Sequence, residues 1–375
     1  QFLKNNFFFL IILYSLVFSF DRDLNLSIWV ERHHLYSKSS IDSLIFYAFE
    51  NNIKDIFLQV RSRGDALYNS ELVSINQNIE DNLDPLEYAL ILSKLLNIKI
   101  HAWINTYLIW SSPNPPLVKD HILFKYPEWI DNSNKGNNLD NSTYLSSSHP
   151  EVNSYLYNIV KELVEDYPLL GGIHFDYIRH KDNNYGFNDE AIIQFQKQNN
   201  FNPKLIIKNN NELGLTKFET DSLINIWDTF NQKSITKLLK DIKYFINSKD
   251  SKILLSAAVK PNPFEAKNRW SQDWVKWIND EILDFVIPMN YVVDEEIFID
   301  NIRKISSQIN NKDKVLMGIA IYNQPISMIS KKIILSRYSG YSKICLFSYN
   351  SIRNNNFDLA SLKYEYLNNK FLIED

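Results

Sequence analysis

Short apolar runs alternate along the chain with stretches whose apolar positions fall three and four residues apart. Residues 26–30 read as a first strand. Residues 40–51 carry Ile41, Leu44, Ile45, Ala48 and Phe49 at helical spacing, and 55–60 form a second strand. Asp84-Pro85 opens a helix through Leu96, with proline in the first turn, where its missing N–H is not needed. Residues 99–105 form a third strand, 150–167 a helix, and 171–180 a fourth strand entered through Gly171-Gly172. Four further apolar runs, at 252–259, 284–291, 315–321 and 343–348, are separated by helical patterns at 271–281, 295–309 and 325–338. Eight strands joined by crossovers predict an α/β fold of the closed (β/α)8, or TIM-barrel, type.

Two excursions interrupt this rhythm, so long loops are expected after strands three and four. Residues 106–148 contain Pro113, Pro115, Pro116 and Pro127 and an Asn/Ser-rich stretch from 132 to 148. Residues 181–250 show one clear helix, at 224–246. Loops of this length in a compact domain are usually functional or disordered. The aromatic stretch 106–130 directly follows Asn105, which favours a place in the wall of a cleft. No solenoid period and no linker divides the chain, so 21–375 reads as one barrel domain.

Composition narrows the class. The chain has 375 residues, 45% hydrophobic and 22% charged, with a formal net charge of -4. That is ordinary for a globular protein and gives no electrostatic footprint for nucleic acid. The 8 Trp, 21 Tyr and 23 Phe exceed what a core needs, and such rings also stack on sugars. Cys345 is the only cysteine, which excludes an internal disulfide. Residues 1–20 place Lys4 before the apolar run from Phe7 to Phe18, a signal-peptide pattern too short to span comfortably. The expectation is an exported protein, periplasmic or extracellular, with no stable membrane insertion after leader cleavage. The oligomeric state is open.

Barrel enzymes carry their chemistry at the carboxyl ends of the strands. Those ends supply Glu31 and Arg32, then Gln59, Arg61, Arg63 and Asp65, then His101, Trp103 and Asn105, followed by Tyr107. Strand four supplies His174, Asp176, Tyr177 and Arg179, strand five Lys260, and strand six Asn290 and Tyr291. A cup of amide, guanidinium, imidazole and aromatic groups around a carboxylate suits a polyhydroxylated ligand. Asp176 is central enough to act as nucleophile, base or stabiliser of an oxocarbenium-like transition state.

Six ordered motifs resemble one family. Arg61-Ser62-Arg63-Gly64-Asp65-Ala66-Leu67-Tyr68, Asp84-Pro85-Leu86, His101-Ala102-Trp103-Ile104-Asn105, Gly172 to Arg179, Gln272-Asp273-Trp274 and Asp284 to Tyr291 together look like the glycosyl-hydrolase-like family 10 proteins. The resemblance runs from about Ile28 to Asn350 and implies a bacterial, usually exported TIM-barrel protein grouped with glycoside hydrolases. Cell-wall or other polysaccharide glycans would be its substrates, with the proposed catalytic aspartate at Asp176. Many members have tyrosine-proline where this chain has His180-Lys181, and a second aspartate where Tyr177 stands. The strand also distantly resembles chitinase-type family 18, whose general-acid glutamate is replaced here by Ile178. A second carboxyl group must come from elsewhere, and Asp65, Glu265 and Asp273 are the candidates.

The leading expectation is thus a secreted hydrolase of O-glycosidic bonds in a polysaccharide or oligosaccharide, needing no cofactor. Its catalytic set is drawn from Asp176, Asp273 and Asp65. The alternative is a carbohydrate-binding protein on a degenerate barrel, motivated by Ile178. A metal-dependent hydrolase using His174, Asp176 and His101 ranks last, because His33 and His34 are adjacent and point apart on a strand.

Overall fold

Eight parallel strands hydrogen-bond in the order β8-β7-β6-β3-β2-β1-β10-β9. They are β1 (Asn25–Val30), β2 (Asp55–Arg61), β3 (Lys99–Asn105), β6 (Gly172–Asp176), β7 (Leu254–Val259), β8 (Phe285–Pro288), β9 (Met317–Ala320) and β10 (Lys343–Phe347). β4 (Leu108–Ser111) and β5 (Ser142–Tyr144) form a separate antiparallel ribbon. The remaining seam, between β8 and β9, is closed by Leu316 N–H on the Val286 carbonyl and Asn290 N–H on the Gly318 carbonyl, each at 3.0 Å. This computed structural model describes residues 24–374 apart from 137–140, 208–213, 250 and 355–356. The expected leader, residues 1–20, lies outside the described residues. Among the described residues no helix is long and apolar enough to cross a membrane.

The barrel strands are buried along nearly their whole length, as a parallel sheet with both faces covered requires. Outward residues pack under the helices. Lys38–Glu50, for example, buries Ile41, Leu44, Ile45 and Ala48, and its first turn is capped by Ser37 accepting from the Ser40 N–H. Inward residues form a second cluster of Trp29, Phe57, Trp103, Ala258, Ile287, Leu316 and Cys345.

Two histidines sit inside that cluster. His101 pairs in register with Gly172, and Trp103 with His174, so the two imidazoles lie in successive layers. The Phe57 ring contacts both, at 4.8 Å and 4.5 Å between centroids. A Cβ on Gly172 would collide with the His101 ring and with the Leu254 carbonyl, which explains a glycine at the entry to β6.

Several expectations need revision. The excursion 106–148 is not all loop, since it contains the β4–β5 ribbon and the short helix Ile122–Lys125. The excursion 181–250 holds three helices, Asp189–Asn199, Pro203–Ile207 and Lys217–Ser248. The last begins seven residues before 224 because Thr216 and Glu219 form a capping box, although its first turns are exposed and carry no apolar stripe. The pattern at 271–281 is the shorter helix Trp274–Asn279, and an unexpected helix, Pro263–Trp270, precedes it and ends at Ser271 in a left-handed conformation. After β10 come Tyr349–Asn354 and Leu359–Glu374, the latter packed on Ile326–Tyr338.

Candidate active site

The carboxyl ends of the strands surround a cleft of about 500 Å³. Asp176, the last residue of β6, stands in its wall with Trp103 and Asn105 from β3 beside it. Asp176 Oδ1 accepts the Tyr177 backbone N–H at 2.7 Å. The Trp103 indole N–H lies close enough to favour the carboxylate, yet makes no well-formed hydrogen bond. Burial is the largest influence and pushes the Asp176 carboxyl up to about 6, against the pull of Tyr177 N–H, Arg179, Trp103 and Lys260.

Arg63, Arg179 and Lys260 line the cleft with this carboxyl group, and of the three Arg179 and Lys260 act on it. The Arg179 guanidinium lies 5.1 Å from the Tyr177 ring and 5.9 Å from that of Tyr144, and donates to the His180 carbonyl at 3.0 Å. Lys260 follows β7 and sits 4.5 Å over the Trp270 ring; burial first, then Arg179, brings its ammonium down to about 8. Arg63 donates through Nε to Ser111 Oγ at 3.1 Å. Among the described residues none of these three forms an ion pair. Gln59 lines the cleft and donates to Asn105 Oδ1 at 3.2 Å, while Tyr291, half-buried and with its hydroxyl proton held tightly, packs on Phe347 at 5.3 Å.

A second carboxylate lines the cleft, and it is Glu31. Its Oε1 accepts from Ser348 Oγ at 2.6 Å, and its Oε2 is buried with no partner among the described residues. Position alone signals it, as the residue directly after strand one.

The cleft thus gathers Asp176, Arg63, Trp103, Asn105, Tyr177, Arg179, Lys260 and Tyr291 from the expected set. The other members lie elsewhere. Asp273 precedes the helix Trp274–Asn279 and pairs with Lys267 at 3.0 Å, and Glu265 pairs with Arg269 at 3.2 Å. Asp65 lines a neighbouring cavity and pairs with Arg32 at 3.7 Å. Arg61 is fully buried and donates to the Asn105 and Thr106 carbonyls, because the β-bulge between Gln59 and Arg61 turns it away from the mouth. His101 lies deep in the barrel, its Nε2 3.0 Å from Asp55 Oδ1. His174 accepts from Trp29 Nε1 at 3.1 Å and has Ser256 Oγ 2.9 Å from its Nδ1. Tyr107 is buried and donates to Asn153 Oδ1 at 3.0 Å. Asn290 is buried, donating to the Phe298 carbonyl at 3.1 Å and accepting from Asn301 at 2.9 Å. Ile178 is buried in the core. Among the described residues no group of three or more His, Cys, Asp or Glu side chains is placed to hold a metal ion.

The family model for glycosyl hydrolase-like 10 matches residues 27–333. Glycosyl hydrolase DigH of Escherichia coli K12 is 26% identical over 169 residues, 41% of this chain and 37% of that protein. Glycosyl hydrolase YngK of Bacillus subtilis is 26% identical over 129 residues, 32% of this chain and 24% of that protein. The match therefore spans little more than a third of the length of DigH and about a quarter of that of YngK. Among solved structures, the glycoside hydrolase domain of PgaB (BpsB) from Bordetella bronchiseptica superposes with a TM-score of 0.66 at 12% identity, covering 88% of this chain and 96% of that one. The catalytic domain of β-amylase from Paenibacillus polymyxa gives 0.59 at 13% identity, covering 93% and 98%. At such identities the likeness shows the shared barrel fold.

Proposed function

The chain belongs to the glycosyl hydrolase-like 10 family, and from that premise we propose that it hydrolyses O-glycosidic bonds of a polysaccharide, with Asp176 as the essential carboxylate. The observation that carries this reading is the position and state of Asp176: at the carboxyl end of a barrel strand, in the cleft wall, with burial raising its carboxyl to about 6. A carboxylic acid that keeps its proton toward neutrality can give it to the leaving glycosidic oxygen.

Glycoside hydrolysis normally uses two carboxyl groups, and Glu31 is the second one lining the cleft. In this reading Glu31, held by Ser348, is the partner that activates water or attacks the sugar. The aromatic faces of Trp103, Tyr177 and Tyr291 offer apolar contact to sugar rings, and Gln59 and Asn105 offer amides to hydroxyl groups.

The unpaired cations refine the substrate. Arg63, Arg179 and Lys260 outnumber the two carboxylates, so the glycan best suited to the cleft carries acidic groups. A bacterial cell-wall glycan is one such polymer. The same reading has the enzyme exported, supported by the leader-like residues 1–20. The test is mass-spectrometric product analysis after incubating the protein with peptidoglycan glycan strands, chitin oligomers and acidic algal or plant polysaccharides. New oligosaccharides from an acidic polymer are expected; silence across the panel contradicts the proposal.

A further inference from the structure

Past Arg32 and Arg63 the cleft adjoins a second cavity of about 210 Å³, and these two arginines line both spaces. Its walls come from two segments far apart in sequence, with Asn76 and Asn78 in one and Trp110 and His121 in the other.

The junction is held in place. Arg63 Nε donates to Ser111 Oγ, and the guanidinium carbon lies 5.8 Å from the Trp110 ring centroid. Trp110 Nε1 donates to the Asn114 carbonyl at 2.8 Å, and its ring meets His121 nearly edge-on at 5.2 Å. His121 is fixed in turn, its Nε2 donating to the Arg63 carbonyl at 2.6 Å and its Nδ1 accepting from the Leu123 N–H at 3.2 Å. Two guanidinium groups share one carboxylate here, since only Arg32 reaches Asp65, at 3.7 Å.

Asn76 donates to Asp65 and accepts from Asn78, so what the cavity offers a ligand is the apolar indole and the surplus of guanidinium charge, which suit a sugar with an acidic substituent. We infer that this second cavity is a remote subsite that receives a further unit of the same acidic glycan. Trp110 supplies the contact to the ring, and Arg63 holds the acidic group at the junction with the catalytic cleft. The inference rests on the glycosidase reading for its ligand, yet it makes a separate claim about chain length. A substrate that reaches both cavities spans several units, so binding strengthens when the chain is long enough to occupy the second.

The test uses Asp176→Asn, in which the proposed function predicts no turnover, and the double variant that adds Trp110→Ala. Both are titrated calorimetrically with graded lengths of peptidoglycan glycan strands, and with chitin oligomers as the neutral ladder. The single variant is expected to gain about tenfold in affinity at one step of the acidic ladder. Trp110→Ala abolishes that step and Trp110→Phe restores it, which separates the loss of an aromatic face from misfolding. A step of equal size in the Trp110→Ala variant, or no step in either protein, overturns the inference. Turnover by the wild type without the length step rejects the second cavity alone. A length step without wild-type turnover rejects hydrolysis and keeps the cavity.

Discussion

The Tyr177 backbone N–H donates to Asp176 Oδ1 at 2.7 Å while Tyr177 itself sits at φ 50°, in the left-handed region. A tyrosine pays roughly 1–3 kcal/mol to adopt such a conformation. In return the chain turns sharply after β6, and the carboxyl group is held by its own neighbour's peptide rather than by a cation. That leaves Arg179 and Lys260 without a carboxylate partner in the cleft and leaves Asp176 poorly solvated.

Stability should record this. Asp176 has a folded-state pKa raised from 3.8 to about 6, so the protonated form is favoured in the fold. Its contribution is fully present below pH 4 and is lost as pH rises through 6, about 3 kcal/mol in all. Asp176→Asn is therefore expected to be the more stable protein at pH 8 and to match the wild type at pH 4. Urea unfolding at the two pH values measures the difference, and equal stability at both would count against a desolvated carboxyl.

Catalysis should show the same group from the other side. With Asp176 as the acid, kcat/KM falls as pH rises through about 6. Glu31→Gln is expected to cut kcat by about 10²–10³ while leaving that alkaline limb in place, and Asp273→Asn should behave like the wild type. A Glu31→Gln enzyme of normal kcat would remove Glu31 from the mechanism.

Lys260 gives a second pH signature. Its ammonium is brought down to about 8, so the positive charge disappears as pH rises through that value. For an acidic glycan KM is expected to climb through pH 8 in the wild type. Lys260→Arg, which stays charged, should flatten the rise. Identical KM profiles for the two proteins would show that the ammonium does not meet an anionic group.

Arg61 is expected to act on folding. Buried and donating to the Asn105 and Thr106 carbonyls, it ties β2 to the end of β3. Arg61→Met should lower unfolding free energy by about 2 kcal/mol, read from the denaturant midpoint. An unchanged midpoint would return Arg61 to the list of ligand contacts.

The barrel was legible because its eight strands are apolar runs set between helical periods, and the eight barrel strands fall on the expected runs, whereas the β4–β5 ribbon lies in a stretch read as loop. The glycine pair before Asp176 and the polar residues after it also pointed to the strand end that lines the cleft. What the sequence could not give was depth and facing. Strands buried on both faces carry no alternation, so nothing in His101-Ala102-Trp103 says which side chain reaches the mouth. Two positions separate His101, deep in the barrel, from Trp103 at the cleft. The bulge that turns Arg61 away and the packing that buries Asn290 under Phe298 are tertiary facts. Glu31 was visible as a strand-end residue, but its place in the cleft beside Ser348 depends on the pairing of β1 with β10, which sequence does not show.

The most direct test of the central claim is kcat of Asp176→Asn beside the wild type, on the acidic polysaccharide from which the wild type releases products, with glycan affinity measured in parallel. A fall of about 10³ or more with affinity within a few-fold of the wild type is the predicted result. Undiminished turnover by Asp176→Asn would contradict it and leave the cleft without its acid.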